Sequence, residues 1–364
     1  MDFLPTQNLS EKNQNLQSEN RRLRERLLEL YVQINTLTSI SDDLGIRQTP
    51  ISEARYQNFR QNTSVTSSYK FVQSESAILP GGAIYSATLD PKGENIAVAS
   101  LSGAITILTA SLKSGATLPG HQSLACRDVF WSSSGLVSCG FDKKIKFWDI
   151  NKLVSQDIDA GGLAHSVCGL SDDSNSVFAA AGDQIFWIDR RRKTPITIAA
   201  GTQATAVSCY KDLLIFGGYD GFVSIVDRRA LHSGSIAHLD IHGGPISSLS
   251  RVLDTGHCTV TPSYLSPEMI VIGDSVEIEE LQIESPGRFG CRADITDKSL
   301  IFDGDVATIC GGRMAAFWDG AGEPQTFDDV GGFVYGALFM TNISQKVLTY
   351  SEDGVVSIWS LRQL

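Results

Sequence analysis

The stretch that decides the fold runs from Gly120 to Ile150 and reads GHQSLACRDVFWSSSGLVSCGFDKKIKFWDI. It opens on Gly120-His121 and closes on Phe147-Trp148-Asp149. Between these ends lie two apolar runs, a Gly140-Phe141-Asp142 turn and an alternating segment carrying Ile145 and Phe147. Short apolar runs bounded by glycine and aspartate read as strands joined by tight turns. Trp148 then serves as a ruler for the rest of the chain. Its counterparts are Leu108, Ile188, Val226, Trp318 and Trp359, at intervals of 40, 40, 38, 92 and 41 residues in chain order. The long interval is close to twice the others, so a degenerate repeat is expected near Ile270 to Asp274.

A Gly-His start and a Trp-Asp end at this separation resemble one WD repeat, the unit of a β-propeller blade. Asp142 lies six residues before Trp148, and Ser138 lies ten before it. The resemblance implies a buried chain from His121 through Asp142 and Ser138 to the indole N–H of Trp148, tying the blade's inner strands together. A catalytic set uses the same residue types, but the spacing suits the structural network, and no oxyanion-hole signal accompanies it. The turn aspartate recurs as Asp220 and Asp353, while Ser102-Gly103 and Gly311-Gly312 fill the turn elsewhere. The expected fold class is all-β, a seven-bladed WD-repeat propeller over residues 67–364 preceded by an N-terminal coiled-coil helix. A ring must close without a bare edge. The outer strand of the last repeat is therefore expected from Ser68 to Gln73, upstream of the first.

Residues 1–44 carry a different period. Leu9, Leu16, Leu23, Leu30, Leu37 and Leu44 follow one another every seven residues. With these at d, the a positions hold Asn13, Asn20, Leu27 and Ile34, a pattern suited to a parallel two-stranded coil of fixed register. The expected interface is Leu16, Asn20, Leu23, Leu27, Leu30, Ile34 and Leu37, in a homodimer or a coiled-coil heterodimer. Residues 45–66 are polar and read as a linker.

Net charge is −11, and the deficit falls in the repeat region. An acidic domain disfavours non-specific binding to nucleic acid or anionic membrane. No apolar run is long enough to span a bilayer, and no signal segment is expected at the start. The seven cysteines are scattered, with no CxxC pair and no ligand spacing beside the histidines. They read as small buried residues of a reducing compartment, the cytoplasm with the nucleus as an alternative. No phosphate loop or nucleophile elbow stands out, so no catalytic residue, cofactor or metal site is expected.

The whole plan resembles the coiled-coil plus WD-repeat proteins of eukaryotes. Ala125 to Asp149, above all FDKKIKFWD, looks like one blade of autophagy scaffolds of that plan. The resemblance implies a non-enzymatic adaptor that pairs through its coil and binds proteins or peptides on its propeller. Two alternatives share features. G-protein β subunits have an N-terminal helix that pairs with a γ-type helix. Substrate receptors of cullin-type ubiquitin ligases carry Asp-x-Arg after the third strand, matched by Asp189-Arg190-Arg191 and Asp227-Arg228-Arg229. In that reading Arg191 and Arg229 touch the partner.

Overall fold

The computed structural model describes residues 69–363, apart from 122–123, 171–172, 193, 232–233, 242–243, 254–255, 264–267, 273–275, 281–291, 297–305, 312–313, 319–324, 328–332 and 341–344. The coil expected over 1–44, with Leu16, Asn20, Leu23, Leu27, Leu30, Ile34 and Leu37, lies outside the described residues. So does the linker. Among the described residues, the strands form seven four-stranded antiparallel sheets. Six take consecutive strands, and the last takes its outer strand from the start of the repeat region. The first strands of the sheets are Ile84–Leu89, Cys126–Ser132, Ala164–Gly169, Ala204–Tyr210, Ile246–Leu249, Asp294–Thr296 and Val334–Phe339. Each sheet packs on the next, and Val334–Phe339 packs back on Ile84–Leu89. The first strands thus line an axis.

The burial pattern explains the composition. Second strands such as Asn95–Ser100, Gly135–Gly140 and Ser176–Ala181 are buried almost throughout, because sheets cover them on both faces. They therefore read as continuous apolar runs rather than alternating ones. Outer strands such as Val154–Asp159 are largely exposed and polar. The core accordingly lies between sheets. Val137, Cys139 and Ile145 of the second sheet meet Ala164, Val167 and Val177 of the third. Each fully buried aliphatic side chain contributes about 1.5–3 kcal/mol, so adjacent sheets stabilise each other.

The ruler positions share one place in the fold. Leu108, Trp148, Ile188, Val226, Trp318 and Trp359 sit on third strands. They face Ile96, Leu136, Val177, Leu214, Ala307 and Val347, each the second residue of its second strand. In the fifth sheet the same partner, Cys258, faces Ile270, inside the window expected for the degenerate repeat. The outer strand Val276–Glu280 of that sheet makes the charged stretch near Glu277 an edge strand. The closing strand is Tyr69–Ile78, antiparallel to Val355–Gln363 with Gln73 opposite Trp359. Its Phe71 ring meets Phe327 at 5.1 Å, and Phe327 meets Trp359 at 5.2 Å.

Candidate functional site

The four residues singled out in the quoted stretch come together. His121 lies in the connection entering the second sheet, Ser138 on its second strand, Asp142 in the following turn and Trp148 on its third strand. His121 Nδ1 is 2.6 Å from Asp142 Oδ1, and His121 Nε2 is 2.8 Å from Ser138 Oγ. The Trp148 indole N–H donates to Ser138 Oγ at 2.9 Å. Burial lowers the His121 pKa against the raising effect of Asp142, so the ring is neutral at pH 7. A neutral ring that bonds both neighbours carries its proton on Nδ1 and accepts the Ser138 hydroxyl at Nε2. Gly140 is required beside it, since a Cβ there would meet the imidazole at 2.8 Å. His121 and Ser138 are 0% exposed, and a hydroxyl without surface cannot reach a substrate carbonyl. The seventh sheet has the same final link, with Trp359 donating to Thr349 Oγ1 at 2.9 Å.

A second constellation lies where the first strands begin. Six of them bulge at the same place, skipping Tyr85, Arg127, His165, Thr205, Ser247 and Tyr335 in the pairing with their second strands. A bulge adds one unpaired residue and re-aims its side chain. The result is a contiguous arc at the mouth of the axis. Phe333 meets Tyr335 and Tyr335 meets Tyr85, each pair at 5.3 Å, and the Arg127 guanidinium lies 4.8 Å over the Tyr85 ring. His165 follows, with Phe141 at 5.5 Å, Tyr219 at 6.5 Å and the Gln203 amide at 3.3 Å. Burial first, and the Arg127 charge second, push the His165 pKa down to about 4. Leu101, Leu124 and Tyr219 stand exposed around the arc by 48%, 50% and 45%.

Asp128 fastens this mouth. Its Oδ1 accepts Ser86 Oγ at 2.7 Å, the Val129 N–H at 2.8 Å and Arg292 Nη1 at 2.7 Å. Its Oδ2 accepts the Val167 N–H at 2.8 Å. One carboxylate thereby joins the first three sheets, and Arg292 reaches it from the lead-in to the sixth, donating also to Arg127 O at 3.2 Å.

The fold has known counterparts. The β-propeller domain of Cps50 (Swd1) from Myceliophteria thermophila superposes with a TM-score of 0.64 and 15% identity, covering 80% of this chain and 99% of that one. The fold is a β-propeller. No protein-family model matches the chain, and no curated protein matches it in sequence. Solved structures match it in 1671 chains, so the propeller alone names no function.

The opposite end of the propeller holds Arg191 and Arg229. Arg191 Nε donates to Asp189 at 2.8 Å and Nη2 to Asp173 at 3.1 Å. Arg229 reaches Asp227 at 2.9 Å and Asp212 at 3.0 Å. These side chains are 60% and 67% exposed. The structure does not bring them to the mouth. Asp128, Arg292 and the bulge column do not stand out from the repeat pattern of the sequence. A signal existed: Tyr85, Arg127, His165, Thr205, Ser247 and Tyr335 precede Leu108, Trp148, Ile188, Val226, Ile270 and Trp359 by 21 to 24 residues. That spread hides the column from any fixed-offset comparison.

Proposed function

We propose that the chain is a non-enzymatic scaffold whose propeller binds a partner peptide at the mouth of its axis. The ring closes with seven blades of the WD-repeat type, and residues 1–44 pair as a coiled coil, with itself or with another helix. Residues 45–66 link the two parts. The single observation that carries this reading is the run of bulged residues converging on one mouth, ringed by the exposed Leu101, Leu124 and Tyr219. Exposed apolar side chains around a polar, preorganised centre are the chemistry of a peptide-binding surface. The buried Ser138 supports a structural rather than hydrolytic role for the His121 network, whose members hold the second sheet together. Pairing through the coil would give two propellers per molecule and raise the apparent affinity for a clustered target.

The test is quantitative affinity purification from cells, comparing the full chain with its Leu101→Asp/Leu124→Asp variant. Binding of each candidate partner is then repeated with purified proteins. Both positions are exposed, so the variant folds, and partners of the mouth should fall away. Equal recovery of every partner by both proteins refutes the mouth as the binding surface.

A further inference from the structure

The two ends of the second, third and fourth sheets carry opposite charge. Around the mouth stand Asp142, Asp159, Asp183, Asp220 and Asp240, with Arg127, Lys143 and Lys144 against them. The turns at the other end hold Lys152, the run Arg190–Arg192, Lys211 and the pair Arg228–Arg229. Among the described residues these cations outnumber the carboxylates beside them, Asp149, Asp173, Asp189, Asp212 and Asp227. A net charge of −11 conceals this face.

The cations are ordered across sheet boundaries. Arg190 donates to the Ser134 carbonyl at 3.0 Å and lies 5.6 Å over the Phe147 ring, bridging the second and third sheets. Arg192 and Arg228 lie on the Trp187 ring, each at 5.9 Å, bridging the third and fourth. Arg191 and Arg229 are gripped by aspartates on one side while most of each side chain stays in solvent. A guanidinium held in this way has already lost its rotamer freedom and presents planar donors matched to a carboxylate.

We infer that this arginine face is a second docking surface, independent of the mouth, for an acidic polypeptide segment of a partner protein. The carboxylates interleaved among the arginines select against a uniform polyanion. A bilayer or a nucleic acid would press phosphates against Asp149, Asp189 and Asp227, whereas a segment with spaced Asp and Glu side chains can align them with the solvent-facing sides of Arg191 and Arg229. Such binding weakens with added salt.

The experiment selects phage-displayed random peptides on the immobilised full-length protein. The peptides recovered are then retested on Arg191→Glu/Arg229→Glu and on the mouth variant Leu101→Asp/Leu124→Asp. One class of selected peptides should be rich in Asp and Glu and should bind the arginine variant about tenfold or more weakly. The same class should bind the mouth variant as it binds the unmodified protein. Peptides lost only on the mouth variant report on the mouth and leave this proposal without its ligand, which overturns it. Acidic peptides indifferent to the arginine reversal also overturn it. So does selective loss, in the arginine variant, of binding to phosphatidylserine vesicles or to a single-stranded oligonucleotide, with no acidic peptide recovered. Thermal melting of both variants must match the unmodified protein, and a single Arg229→Gln substitution repeats the test with a smaller change.

Discussion

Asp128→Ala is the substitution to which the propeller should be most sensitive for its size. The carboxylate is buried and accepts from Ser86, Val129 N–H, Val167 N–H and Arg292. Leaving a buried donor unmade costs about 1–3 kcal/mol, and removing one partner of a buried ion pair costs about 3–5 kcal/mol. These costs overlap, since the Ser86 hydroxyl can turn to another acceptor and Arg292 is partly exposed, so their sum is an upper bound. An expected loss of about 4 kcal/mol is a large fraction of the roughly 5–15 kcal/mol that stabilises a typical domain. Asp128→Asn keeps an acceptor and similar volume while losing the charge, and should cost about half as much. Arg292→Met leaves the carboxylate with its other three donors and should cost about 2 kcal/mol. Urea unfolding followed by tryptophan fluorescence measures all three. If Asp128→Ala stays within about 1 kcal/mol of the unmodified protein, the claim that this carboxylate joins the first three sheets is wrong.

Three further outcomes are expected. Asp142→Ala strands the His121 Nδ1–H and should destabilise by about 1–3 kcal/mol in the same assay; no change in midpoint would remove the structural network. His165 has a folded pKa of about 4 against 6.5 in the unfolded chain, so the unfolded state takes up its proton first as pH falls. Its contribution is fully present above about pH 6.5 and is lost by about pH 4, some 3 kcal/mol in all. The pH slope of stability should therefore be shallower in His165→Gln, and parallel slopes would contradict this. Leu23→Asp/Leu30→Asp should convert a dimer into monomers with unchanged thermal melting, as read by light scattering. A monomeric unmodified protein at micromolar concentration would instead direct the coil toward a different helix.

The architecture was legible because the feature that repeats is also the feature that packs. Trp148 and its counterparts recur near every 40 residues, since each occupies one ladder position opposite the second residue of a second strand. Even the degenerate fifth sheet follows, with Ile270 at that position. The His121 network was legible for the same reason, being local to one sheet. The mouth was not. Arg292 and Asp128 are 164 residues apart in sequence, and neither carries a mark that distinguishes it from a surface charge. The bulged residues alternate out of phase with their strands, so period-two reading assigns them the wrong face. The arginine turns were legible as the local runs Asp189-Arg190-Arg191 and Asp227-Arg228-Arg229, whereas the contacts of Arg190 and Arg228 with neighbouring sheets required the fold.

If the propeller holds a partner at its mouth, as proposed, charging the apolar rim of that mouth must weaken the complex. The most direct measurement is the affinity of a purified partner for the full chain and for Leu101→Asp/Leu124→Asp, by calorimetry at matched thermal stability. The expected result is a loss of about tenfold or more, corresponding to two apolar contacts replaced by charge. Equal affinities, with both proteins folded, would place the partner elsewhere and rule out the mouth as its binding surface.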